Sequence, residues 1–320
     1  MASTTRLFKS ISRLLFPSLL IVVLAVTFAS VWIVYEIAQP VNVVYLVTPE
    51  KYGQLSSRAA QVTDETWTNR DGTSARGWLL RGTPGAPAVI LLHRYGADRS
   101  HVLNLGVKLS EATNFTILMP DQRGHGLNPL VPYSSFGGCE TTDSADAIQY
   151  LRSLKSPEQM DLVGRDIGMY GIEMGALAAL SAMAQNETIR AVVLDSVPED
   201  SDNLLASAID KRFPFASSIT SKIGQAGTIP FYYEGCYKRD SACELAKRIG
   251  TKQVLLLGGA DAKEFQGPTT RLAKCFPEIT VVETKTDLNP SGYNLISASI
   301  EVSEIYDQRV IDFLKLALAN

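Results

Sequence analysis

Histidine is scarce in this chain: three of 320 residues, His93, His101 and His125, and none follows His125. With so few imidazoles and none in a metal-ligand spacing, no zinc site and no other cofactor is predicted. Charge of one sign is also missing, since 30 Lys and Arg face 33 Asp and Glu for a net −3, which leaves no basic footprint for nucleic acid. No internal repeat and no low-complexity tract interrupts the sequence. Cysteine is limited to four residues, too few for a disulfide-dense small scaffold but an even number that permits three complete pairings. Cys236 and Cys243 bracket a short polar loop, Tyr237 to Ala242, and are expected to pair. Whether Cys139 and Cys275 meet depends on tertiary structure, with buried free thiols as the other outcome.

One stretch lacks charge altogether. From Leu14 to Tyr35 no Asp, Glu, Lys or Arg occurs, and Leu19 to Val26 is an unbroken apolar run. A bilayer core of about 30 Å asks for ~20 such residues in a helix. Arg6, Lys9 and Arg13 precede the run, Glu36 follows it, and Trp32 and Tyr35 stand where an interfacial aromatic belt would lie. The run exceeds the ~7–15-residue core of a signal peptide, so an uncleaved anchor is favoured over a cleaved leader. The expected organisation is a short cytoplasmic tail (1–13), a transmembrane anchor (14–38), a juxtamembrane linker (39–60, with 43–47 able to pack on the domain) and one outward-facing domain (61–320). The domain would then be extracytoplasmic, periplasmic or extracellular.

Within that domain, Pro87 to His93 is a continuous apolar run, as in a parallel strand buried on both faces, and it ends in the loop Arg94-Tyr95-Gly96-Ala97-Asp98-Arg99-Ser100. A second buried strand, Thr116 to Pro120, ends in Asp121-Gln122-Arg123-Gly124-His125-Gly126. A third, Ile167 to Tyr170, runs into Gly171-Ile172-Glu173-Met174-Gly175 and then a helical stretch. The last is the G-x-S-x-G pattern of a nucleophile elbow with Glu in place of Ser.

Together with the Asp71-Gly72 hairpin before Gly77-Trp78-Leu79-Leu80, these segments resemble the α/β-hydrolase superfamily, especially its dienelactone-hydrolase-like and serine-aminopeptidase-like branches, over about residues 61–318. The resemblance implies an α/β fold: a mostly parallel central sheet with helices on both faces. It also implies a pocket whose oxyanion side is formed by His93, Arg94, Tyr95 and Met174. The acid of the triad is expected at Asp261, after the strand Lys252 to Gly259, with a loop or helix-capping carboxylate as the plainer alternative. The base is expected as a His beyond the last strand, but the nearest residue to that slot is Asp287.

A serine hydroxyl needs a neighbouring base, and the acid orients that base. Here the positions of nucleophile and base are both changed, which points to a non-catalytic binding or regulatory relative of esterases and peptidases. The alternative is an active hydrolase of ester, thioester or peptide, using Glu173 as nucleophile or general base with Asp261 and His93 as helpers. His93 and His125 are expected to fix loops, and His101 to be solvent-exposed. Arg94, where such loops usually carry Gly, is expected to pair with Glu173 and keep it ionised. An insertion at about 198–250, with Phe213, Pro214, Phe215, Ile219, Ile223, Ile229, Phe231, Tyr232 and Tyr233, either roofs the pocket or completes the core. The partners implied are the membrane and a small ester, acyl chain or peptide end.

Overall fold

The computed structural model describes residues 2–40, 45–214 and 217–319. In chain order the helices of four or more residues and the strands are α1 (Ala2–Ala38), α2 (Pro49–Tyr52), β1 (Thr63–Thr68), β2 (Ser74–Leu80), β3 (Ala86–Leu92), α3 (Leu103–Thr113) and β4 (Thr116–Pro120). They continue with α4 (Gly138–Ser153), β5 (Val163–Ile172), α5 (Met174–Gln185), β6 (Ile189–Asp195), α6 (Ser201–Arg212), α7 (Ser217–Phe231), α8 (Ala242–Ala246), β7 (Gln253–Gly259), α9 (Lys263–Ala273), β8 (Val281–Leu288) and α10 (Ile300–Leu318). They form two compact units, one of Met1–Ile37 with Leu205–Gly235 and one of Ala38–Leu204 with Cys236–Asn320.

The larger unit holds one eight-stranded sheet in the order β1-β2-β4-β3-β5-β6-β7-β8. The β1–β2 and β2–β4 pairs are antiparallel and the rest parallel. Parallel strands covered on both faces must be apolar throughout, and the alternation of side chains then divides each strand between two cores. In β3, Ala88, Ile90 and Leu92 enter the core shared with α4, α5, α8 and α9, while Val89 and Leu91 enter the core shared with α3 and α10. All five are at most 2% exposed. At Gly168 of β5 an added Cβ would lie 2.7 Å from Leu318 of α10, so the small residue lets that helix close on the sheet.

The stretch expected as a linker is built into this unit. Tyr45, Val47 and Tyr52 pack on the α3–α10 core, the Tyr45 hydroxyl donates to Asp121 at 3.1 Å, and that of Tyr52 to Asn104 at 2.7 Å. Val43 and Val44 lie outside the described residues, as does Phe215.

The cysteines pair otherwise than expected: Cys139 with Cys236 and Cys243 with Cys275. Cys243 sits in α8, which packs beside α9, and Cys275 follows α9 directly, so the helix pairing brings these two together. Proximity in sequence could not reveal that. The bridges close separations of 97 and 32 residues, worth about 5 and about 4 kcal/mol on a chain-entropy estimate. Disulfides persist in oxidising compartments, which agrees with an extracytoplasmic location.

Residues 205–235 of the insertion belong to the smaller unit. Its part of the insertion packs with the apolar N-terminal helix: Trp32 and Phe213 rings are 6.0 Å apart and Arg212 approaches Glu36 at 3.5 Å. Leu15–Ala38 is long and apolar enough to cross a membrane. From Leu15 to Phe28 every residue is exposed, whereas Ser30, Ile33, Val34 and Ile37 are buried.

Candidate functional site: an elbow carrying glutamate

β5 ends at Ile172 and α5 begins at Met174, leaving Glu173 alone to make the turn. Its φ of 51° and ψ of −108° place a bulky residue where L side chains rarely go, at a cost of about 1–3 kcal/mol. The flanking glycines are sterically required. A Cβ at Gly171 would lie 2.3 Å from the Gly175 carbonyl oxygen, and one at Gly175 2.5 Å from the Leu92 carbonyl oxygen. The backbone is tied down by the Glu173 N–H donating to the Asp195 carbonyl at 2.9 Å and the Leu177 N–H donating to the Glu173 carbonyl at 3.0 Å.

The Glu173 side chain does not project into solvent; the residue is 2% exposed. Its Oε2 accepts the backbone N–H of Tyr95 at 3.0 Å. That N–H belongs to the loop after β3, the place from which an α/β hydrolase stabilises an oxyanion. A carboxylate oxygen therefore occupies this N–H. The Tyr95 ring stacks on Phe136 with centroids 5.4 Å apart, and burial together with the nearby Glu173 charge pushes its phenol pKa up. Met174 is fully buried, and its sulfur receives the Ser134 hydroxyl at 3.3 Å.

Arg94 does not make the expected ion pair with Glu173. Its guanidinium lies 5.0 Å over the Tyr293 ring and donates to the Tyr95 carbonyl at 3.2 Å. The charge thus turns outward along its own loop, while Glu173 turns inward to the backbone.

All three histidines are committed elsewhere. The Gln122 N–H donates to His93 Nε2 at 3.1 Å, so Nδ1 carries the hydrogen and donates to the Arg94 carbonyl at 2.8 Å. His125 repeats the pattern: Gly96 N–H to Nε2 at 3.0 Å and Nδ1 to the Arg123 carbonyl at 2.6 Å. Both rings are buried, and desolvation lowers their pKa values to about 4 and about 3, which keeps them neutral. As expected from their loops, they staple the two segments together. His101 is less exposed than expected, 15% for its side chain; its Nδ1 accepts the Asp98 N–H at 3.3 Å in a capping box.

Asp261 follows β7 and is exposed; its carboxylate accepts the Ser291 N–H at 2.9 Å and the Ser291 hydroxyl at 3.3 Å. Asp287 lies inside β8 and is exposed, whereas the loop that approaches Asp261 is 289–294. On that loop the Tyr293 ring stands between Phe265, at 5.3 Å, and Arg94. Tyr293 is therefore the side chain of that loop that reaches Arg94.

Sequence inspection missed a buried carboxylate. Asp195, at the end of β6, accepts from Ser196 Oγ (2.6 Å), the Gly292 N–H (2.9 Å) and the Tyr306 hydroxyl (2.7 Å), and burial raises its pKa. Its signal was available: a carboxylate at the carboxyl end of a central parallel strand, where open α/β sheets place their sites. Beside this network lies a cavity of about 540 Å³ lined by Arg94, Tyr293, Ile172, Leu105, Val47 and Leu295 among others.

Strand order, elbow and loops together define the α/β-hydrolase fold, and solved structures agree. An esterase of Pyrococcus furiosus superposes with TM-score 0.64 at 21% identity, covering 88% of this chain and 98% of its own. A dienelactone hydrolase of Anabaena variabilis does so with TM-score 0.51 at 15% identity, covering 81% and 99%. No protein-family model matches the chain. Among curated proteins, the uncharacterized protein YfhR of Salmonella typhimurium is 30% identical over 49% of this chain and 55% of its own length. Thiohydrolase aneE of Aspergillus aculeatus is 23% identical over 38% and 37%. The chain thus spans between about a third and just over half the length of these curated relatives.

Proposed function

We propose that this is a membrane-anchored, outward-facing α/β-hydrolase-fold protein that binds rather than cleaves, a regulatory or ligand-holding relative of esterases and hydrolases. The observation that carries the proposal is the Glu173 carboxylate on the Tyr95 N–H. It supports loss of catalysis twice over, because the nucleophile is absent and the oxyanion donor already faces a negative oxygen. Both ring nitrogens of His93 and of His125 are taken by main-chain partners, and His101 is tied through Nδ1 to the Asp98 N–H, which supports the loss of a proton shuttle at the elbow. A carboxylate nucleophile would still need a base-activated water to release its ester. The cavity lined by Arg94 and Tyr293 is where a small ester, acyl chain or peptide end would sit, its polar end toward the guanidinium.

The test is direct. The purified protein, offered short p-nitrophenyl esters and a fluorophosphonate probe, is expected to show neither turnover nor labelling, with Glu173→Ala indistinguishable from the parent. Ester turnover that vanishes in Glu173→Ala overturns the proposal in favour of a working hydrolase centred on Glu173 and Asp261.

A further inference from the structure

The cavity beside the Asp195 network is walled on one side by the stretch that follows α1. Leu46 and Val47 line it, and that stretch is pinned at both ends. At the first, the Leu46 N–H donates to Ser100 Oγ at 3.0 Å and the Tyr45 ring meets Trp78 edge-on at 5.3 Å. At the second, the Tyr52 hydroxyl donates to Asn104 at 2.7 Å. α3 and α10 supply further walls, and because Ile300 and Asp307 both line the cavity, it follows α10 for about 10 Å. Its volume of about 540 Å³ falls within the ~300–1,000 Å³ of small-molecule sites.

Most polar side chains of the lining are bonded to one another. Ser100 Oγ takes the Leu46 N–H and donates to Asp98, and Asn104 accepts from Tyr52 and donates to Asp307 at 2.8 Å. Tyr170 shares a hydrogen bond of 3.0 Å with Tyr306, and Lys108 is matched by Asp307 at 2.9 Å and by Glu304. Much of the remaining lining is aliphatic: Val47, Val102, Leu105, Ile172, Leu295 and Ile296. Arg94 stands apart, because it forms no ion pair among the described residues. Its guanidinium lies over the Tyr293 ring and gives one hydrogen bond, to the Tyr95 carbonyl. The ring meets a face of the guanidinium and the carbonyl takes one of its five N–H donors, so the rest of its edge remains for a planar two-oxygen acceptor.

We propose that this cavity holds a free fatty acid, with its carboxylate on the edge of Arg94 and its hydrocarbon chain along the aliphatic lining between the 46–47 stretch and α3. The lining separates the three ligand types named above. A neutral ester brings no charge to meet the guanidinium. A peptide end brings amide groups, and a lining whose polar side chains are mostly spent on one another would leave them buried without partners, at a cost of about 1–3 kcal/mol each. A hydrocarbon chain ending in one carboxylate needs a single unspent cation and an apolar sleeve, which is what the lining offers. The inference rests on the reading that the protein binds without cleaving, since a working hydrolase would hold such an acid only in passing, as product.

Calorimetry decides the matter. The full chain in phosphatidylcholine nanodiscs is titrated with decanoate and with decanol, and the heats of empty nanodiscs are subtracted. Decanoate is expected to bind saturably and more tightly than decanol. Arg94→Gln is expected to weaken decanoate roughly tenfold or more, the worth of hydrogen bonds to a charged group, while decanol binding and the thermal melt stay as in the parent. Val47→Trp, which fills the cavity from its half-buried wall, is expected to weaken both ligands. Decanoate that does not saturate, or that binds equally well to Arg94→Gln or to Val47→Trp, overturns the proposal. p-Nitrophenyl decanoate, offered in parallel, tests the underlying reading. Without its hydrolysis, a missing decanoate site sinks the proposal alone; hydrolysis overturns the reading, and the acid as resident ligand with it.

Discussion

The turn between β5 and α5 and the loop after β8 differ in what holds them. At the elbow, the turn between β5 and α5 is dictated by backbone sterics: Gly171 and Gly175 pass within contact of main-chain atoms, and Glu173 adopts a strained left-handed φ of 51° inside a network of main-chain hydrogen bonds. At the loop after β8, the geometry is also kept, through Asp261 to Ser291 and Asp195 to Gly292, yet the side chain reaching between the loops is Tyr293. Both backbones are fixed by main-chain hydrogen bonds, and the side chains they present are Glu173 and Tyr293. Architecture and chemistry are separable in this fold, because packing constrains the first and only the reaction constrains the second.

The largest effect that sharpens this contrast is steric. Gly175→Val or Gly171→Val is expected to abolish cooperative unfolding and soluble yield, because a side chain would drive into backbone oxygen atoms that cannot move independently. Gly250→Ala, with nothing near the added carbon, is expected to shift stability by no more than about 0.5 kcal/mol. Equal effects at the three positions, measured by denaturant melts, contradict a sterically fixed elbow.

Acid comes next. His93 and His125 stay neutral in the folded chain down to about 4 and about 3, whereas 6.5 is their ordinary value. Above pH 6.5 neither state takes these protons; below it the unfolded chain does and the folded chain does not, so stability falls from pH 6.5 to about 4. Asp143, pushed up to about 6 by burial beside Arg123, takes its proton first in the folded state and offsets part of the loss. Asp121, Asp195 and Asp307, also raised by burial, offset more of it, and what remains is read as a fall in the urea midpoint across that window. An unchanged midpoint means that the two imidazoles are not held neutral as the hydrogen bonds require.

Much of the larger unit was legible in the sequence, and for a physical reason. Strands such as Pro87 to His93 and Thr116 to Pro120 are buried on both faces and so are apolar without interruption, and Gly171 and Gly175 mark a turn with no room for a side chain at either position. The resemblance built on those segments placed the sheet correctly. What failed depended on contacts between distant segments. Cys243 meets Cys275 because α8 packs beside α9, not because of spacing. Arg94 takes Tyr293 instead of Glu173 because Glu173 folds back onto Tyr95 N–H. Within the insertion, Phe213 packs on Trp32 of α1, a partner that hydrophobicity alone does not name.

The account stands or falls on the missing base, and restoring the serine tests it most directly. Ester hydrolysis is measured for Glu173→Ser and for Glu173→Ser combined with Tyr293→His, which sets an imidazole between the Asp261 loop and the Arg94 loop. Glu173→Ser alone is expected to stay at the buffer rate, and the double variant to exceed it by roughly tenfold or more, the contribution of a positioned general base at the low end. Hydrolysis by Glu173→Ser alone, equal to that of the double variant, would show that the protein already holds a working base and would contradict the account.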